Sequence, residues 1–121
     1  MALFSIWIDR ENANIFEFSG KDTIKSEMHN KYVDHHTHRM DEFDHKRQET
    51  TFYQKIATRL NEVEGILILG PGVARYHLQN FLNEHFPMIA KKIVGCESMD
   101  HPTDQQIEEY SRTYFRKPPL T

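Results

Sequence analysis

The chain holds a single cysteine, Cys96, in 121 residues. One thiol excludes an internal disulfide and fits a reducing cytoplasm. Cys96 closes an apolar stretch, so it reads as a buried, inert thiol rather than a nucleophile. Apolar residues are scarce, 38% of the total, and no apolar run approaches the roughly 18 residues of a membrane helix. The start, Met1 to Ile6, lacks both a basic n-region and a long apolar h-region, so no signal peptide is expected. An excess of positive charge is missing too: the net charge is −3 with histidine neutral. Proteins that grip phosphates non-specifically are usually basic, so any contact with RNA here needs a local patch or a protein partner.

Histidine is what the chain has in abundance. Full protonation of its eight histidines would carry the net charge to +5, so mild acidification reverses the sign of the surface. The length suits one domain, residues 1–121, with a single core. No internal repeat and no linker interrupts it.

The centre of the sequence is Glu64 to Leu78. Ile66-Leu67-Ile68-Leu69 is an all-apolar run bounded by glycines, the mark of a strand covered on both faces. Gly70-Pro71-Gly72 breaks it, and Ala74, Leu78, Phe81 and Leu82 then recur at helical spacing. The turn leaves backbone N–H groups where an anion could sit, and it is equally a tight strand-to-helix connection. It matches neither the P-loop nor the dinucleotide-binding glycine pattern.

Around this centre the chain reads in order. Leu3 to Asp9 is apolar on both sides, a central strand. Ala13 to Phe18 pairs with it as a hairpin across a polar turn. Thr23 to His29 is a weaker edge strand. Residues 30–44 are irregular. An amphipathic helix from His45 to about Val63 carries Phe52, Ile56, Leu60 and Val63 as its inner stripe, with Lys46, Arg47, Lys55 and Arg59 outside. The helix after Gly-Pro-Gly stops at His85-Phe86-Pro87. Ala90 to Cys96 is a second parallel strand. Thr103 and Gln106 form a capping box for a last helix running to about Phe115. The order implies an α/β fold, a mixed sheet with helices on both faces.

Three stretches carry a family resemblance. They are Ile8 to Phe16, Ile66 to Arg75 and Val94 to Ile107, the last containing Pro102-Thr103-Asp104-Gln105-Gln106-Ile107. In order and spacing the chain resembles the middle domain of archaeal and eukaryotic class-I peptide release factors and of Pelota, with their stand-alone bacterial relatives. The resemblance implies a three-layer α/β/α, ribonuclease-H-like fold with a five-stranded sheet, order 3-2-1-4-5, strand 2 antiparallel. One departure matters. Release factors place Gly-Gly-Gln between the third strand and the long helix, and Tyr32 to Phe43 contains neither glycine nor glutamine. A loop entering a crowded catalytic centre needs glycine's backbone freedom. Pelota also lacks that tripeptide. The resemblance therefore implies a cytoplasmic, translation-related factor that binds ribosome or tRNA without Gly-Gly-Gln-dependent hydrolysis.

The chemistry-bearing residues cluster in the irregular segment. His35, His36, His38, Asp41 and His45 are metal-type ligands, and His-x-His or i,i+4 pairs can converge on zinc or another divalent ion. A solvated histidine-rich loop is the other reading of the same residues. From Lys31 to Arg47 four Lys/Arg face four Asp/Glu, so positive charge there depends on histidine. His35, His36, His38, Arg39, Lys46, Arg47 and Arg75 are the candidates for contacting nucleic acid or a partner. Two-metal phosphodiester hydrolysis would need converging carboxylates. Asp9, Glu97 and Asp100 supply ends of strands, but the long helix offers no obvious fourth. Two other function classes stand beside the translation factor: a metal-dependent hydrolase or nuclease using the histidines, and a protein-interaction module, a homodimer included. No cofactor is expected, a divalent metal on the histidines excepted, and no membrane partner.

Overall fold

The computed structural model describes residues 2–30 and 42–116, the side chains of 42–46 excepted. Five strands and four helices follow one another: β1 (Ala2–Ile8), β2 (Asn12–Ser19), β3 (Asp22–His29), α1 (Glu42–Ala57), β4 (Val63–Gly70), α2 (Ala74–His85), α3 (Pro87–Ala90), β5 (Ile93–Ser98) and α4 (Asp104–Arg116). The sheet order is β3-β2-β1-β4-β5. β1 pairs parallel with β4, and β4 parallel with β5, whereas β2 runs antiparallel to both of its neighbours. Order and directions are those expected from the sequence.

The two central strands are buried on both faces, as their unbroken apolar runs require. Alternation along β1 divides the core in two. Phe4, Ile6 and Ile8 join Ile66 and Ile68 under α1 and α2, with Phe52, Ile56, Leu78 and Leu82. Trp7 joins Leu67, Leu69, Phe16, Phe18 and Ile107 under α4. Helices therefore cover both faces.

The long helix is shorter than its apolar stripe suggests. Phe52 and Ile56 lie on α1 and are buried, but the helix ends at Ala57. Arg59 N–H bonds to Ile56 O and Leu60 N–H to Ala57 O, the i−3 spacing of a tightening last turn. Glu62 then takes φ 49°, a left-handed conformation that a helix does not continue through. Leu60 is still buried, from the turn, and Val63 opens β4. Pro87 ends α2 as expected, and it also starts the unforeseen single turn α3. Proline's missing N–H costs nothing at a first helical position.

On the other face, Thr103 and Gln106 make the expected capping box: Thr103 N–H donates to Gln106 Oε1 (2.8 Å), and Gln106 N–H to Thr103 Oγ1 (3.2 Å). Arg112 ties α4 to the β2–β3 turn through Gly20 O, Lys21 O and Thr23 Oγ1, and lies over the Phe18 ring. That turn needs Gly20, which has φ 63°. Under the helix, Ser5 on β1 donates to Ser111 on α4 at 2.6 Å, both fully buried. Removing one hydroxyl strands the other, at a cost of about 1–3 kcal/mol. Urea unfolding should show this loss for Ser111→Ala and recover most of it in Ser5→Ala/Ser111→Ala.

Tyr53 faces the first core, and burial, helped by the charge of Glu49, pushes its phenol well above the usual tyrosine range. The unfolded chain therefore loses this proton first. Its contribution is complete below the unfolded pKa, about 10, and is lost as pH rises beyond it. The urea midpoint should fall more steeply above that pH in the parent than in Tyr53→Phe.

Candidate functional site

β1, β4 and β5 run in one direction, and β3 shares it, being antiparallel to β2. Four strands thus end at the same side of the molecule, the carboxyl end where open α/β sheets bind ligands. The β1–β2 turn is closed by Asp9. Its Oδ1 accepts from the N–H groups of Glu11 (2.9 Å) and Asn12 (2.7 Å), which makes it a turn-forming carboxylate. Asn30 N–H donates to Glu11 O at 2.8 Å, holding the exit of β3 against this turn. α1 finishes beside the start of β4, at the opposite side, and its 16 residues span about 24 Å. Its first turn therefore returns to the carboxyl end.

Asn30, the last described residue before the histidine-rich segment, and the first turn of α1, which follows it, both lie at this end. His35, His36, His38, Arg39 and Asp41 lie outside the described residues. His45 and Lys46 stand on the first turns of α1, and Arg47 follows there, exposed. Among the described residues no three His, Cys, Asp or Glu side chains gather as a metal-holding group.

The Gly-Pro-Gly turn lies beside Asp9. Gly70 is required by close approach: a Cβ there would meet Ile8 O at 2.2 Å, whereas one on Gly72 meets nothing within 4 Å. Gly70 O accepts from Met99 N–H at 2.8 Å, joining the exits of β4 and β5. Arg75 folds back over the turn instead of reaching outward. One Nη donates to Gly70 O (3.4 Å) and to Gly72 O, the other to the Tyr76 hydroxyl (3.0 Å). The guanidinium sits 4.3 Å from the Tyr76 ring centroid, a cation–π stack. Among the described residues its buried Nε has no hydrogen-bond partner. The half-buried Cys96 lies close by. Burial raises its thiol pKa, and the charge of Arg75 pulls the other way, which fits the inert thiol read from the sequence. Val73 and Tyr76 stay exposed at the tip.

A third group escaped the sequence reading. Trp7 Nε1 donates to the carbonyls of Met99 (3.2 Å) and Asp100 (3.0 Å), so the indole inside the second core also fixes the segment that leaves β5. His101 packs against its ring, 5.4 Å between centroids. Its Nδ1 is 3.0 Å from Asp100 Oδ1 and its Nε2 4.0 Å from Asp9 Oδ2. Asp9, Asp100 and His101 come together across more than ninety residues, and no local pattern signals it. The arrangement is a set of pinned turns that presents exposed side chains for contact.

No protein-family model matches the chain. Over 64 residues, 52% of the chain, it is 36% identical to a Pelota homolog of Methanococcus vannielii, of which this covers 18%. The fold is similar to that of Archaeoglobus fulgidus Pelota, with TM-score 0.67 and 16% identity over 93% of the chain and 31% of that one. It is also similar to an archaeal translation termination factor, with TM-score 0.62 and 19% identity over 89% of the chain and 32% of that one. The chain spans about a third of the length of these solved proteins and less of the curated relative. The resemblance read from the sequence is supported at that level: the chain is similar in sequence to a Pelota homolog over about half its length, and in fold to Pelota and to an archaeal termination factor over most of it.

The geometry of the turn separates its two glycines. Gly70→Ala, which sets a Cβ against a backbone oxygen, should destabilise by about 1–3 kcal/mol. Gly72→Ala should leave the thermal midpoint nearly unchanged. Equal effects would show that flexibility, not close approach, fixes the motif.

Proposed function

We propose that the chain is a translation-related factor that docks on the ribosome or a tRNA without Gly-Gly-Gln-dependent peptidyl-tRNA hydrolysis. One observation carries this reading: a release-factor- and Pelota-like fold joined to a segment, Tyr32 to Phe43, free of glycine and glutamine. The segment that would have to reach a peptidyl-tRNA ester instead offers histidines and balanced charges.

The working surface is the carboxyl end of the sheet. His35, His36, His38, Arg39, Lys46 and Arg47 are its candidate cations, and Arg75 holds the Gly-Pro-Gly backbone in place at that end. Because acids and bases balance from Lys31 to Arg47, attraction to phosphate rests on imidazole protonation. Phosphate close by favours the charged imidazole. Binding then strengthens as pH falls through the histidine range, about 6.5.

Ribosome co-sedimentation of the purified chain tests this across a salt series and from about pH 8 down to about pH 6, the window where imidazole titrates. Binding should weaken with salt and strengthen on acidification, and His35/His36/His38→Ala should remove the pH response. Absence of binding at low salt, or an unchanged pH response in the variant, would contradict the proposal.

A further inference from the structure

On the α4 face, between that helix and the segment that follows β5, lies a shallow groove. Its apolar floor is Met99, Pro102 and Tyr110, and its rim carries Asp100 and Glu109. The floor continues along α4 and β5. Tyr114 lies 6.0 Å from Tyr110 between ring centroids, and its hydroxyl donates to Val94 O at 3.4 Å. Val94 is itself 52% exposed.

Two features make this strip a side-chain docking surface. The first is the edge strand. Ile66 pairs with Ile93 and Leu67 with Gly95, so Val94 has no opposite number and β5 carries a bulge. A bulge spoils the edge for strand addition, so a partner must be held through side chains. The second is charge. Glu97 reaches toward both tyrosines: burial first, and its charge second, raises the pKa of Tyr110 and Tyr114. With Glu97 on the neighbouring β5, Asp100 and Glu109 thus line the groove itself. Among the described residues no lysine or arginine lines it. The nearest cation on α4, Arg112, is engaged at the β2–β3 turn, and His101 stands between Asp100 and Asp9.

We propose that this groove binds a short basic segment of another protein, with arginine or lysine heads on Asp100, Glu109 and Glu97. Their aliphatic stems lie over Met99 and Pro102, and a guanidinium stacks on Tyr110. Charge complementarity selects this occupant: an acidic rim repels nucleic acid and acidic protein alike. Exposed aromatic rings next to carboxylates suit arginine, whose planar head both stacks and forks onto carboxylate oxygens. Met99, Asp100 and His101 join this groove to the carboxyl end of the sheet, but its occupant is a basic peptide and not RNA, so the proposal holds whether or not the chain binds ribosomes.

The probe is a fluorescein-labelled peptide of alternating arginine and leucine, titrated into the full chain and followed by anisotropy. Binding should weaken as salt rises. Tyr110→Ala should lower affinity about tenfold. Asp100→Asn/Glu109→Gln should lower it roughly fivefold and flatten the salt dependence. Both rim residues are exposed, and an unchanged urea midpoint confirms that the double variant is folded. Three results would overturn the proposal: no binding at low salt, equal binding of a glutamate–leucine peptide, or unchanged affinity in both variants. Sedimentation showing a dimer lost in the double variant would also overturn it, by giving the groove to a second copy of the chain.

Discussion

The structure depends on the parallel pairing of β1 and β4. Leu3 to Trp7 lie opposite Gly65 to Leu69, and nearly every side chain of the pair is buried. A strand pair with apolar groups on both faces has to be covered on both. α1 and α2 cover one face and α4 the other. The same pairing brings the Gly70 backbone against Ile8 O, too close for any side chain at that position. Chain exits are fixed by this contact. Met99 bonds to Gly70 O, Asp9 folds its turn next to Ile8, and Asn30 is bonded to that turn. The geometry of the carboxyl end follows from two strands in the middle.

Much of this was legible in the sequence where one physical signal dominates. The run Ile66 to Leu69 announces a central strand because nothing else buries four consecutive apolar residues between glycines. Thr103 and Gln106 announce a helix start because each satisfies the other's backbone N–H. Helix length was less legible. Leu60 and Val63 continue the i,i+4 pattern of Phe52 and Ile56, and both are at least partly buried, yet one sits in a turn and the other on a strand. Periodicity records burial, not hydrogen bonding, so it ran past Ala57.

The site was legible only as a location. Sequence placed Arg75 next to Gly-Pro-Gly, but not its return onto the Gly70 and Gly72 carbonyls and the Tyr76 ring. That depends on a turn geometry set by the contact at Ile8. Trp7 lies on the strand read as apolar on both sides and is buried, yet its indole N–H also holds the Met99 and Asp100 carbonyls, a partnership across more than ninety residues. The gathering of Asp9, Asp100 and His101 arises in the same way. Charge was legible in composition and misleading as a sum. A net −3 does not show the acidic groove that Asp100 and Glu109 form against α4.

We propose that the chain meets the translation machinery through the carboxyl end of the sheet. Hydrogen–deuterium exchange of the chain with and without ribosomes tests it most directly. The account predicts slowed exchange in residues 31–41 and 70–77 on binding, with residues 58–62 at the opposite end unchanged. Protection confined to residues 58–62 and 87–92, or no protection at either end under conditions where the complex sediments, would contradict it.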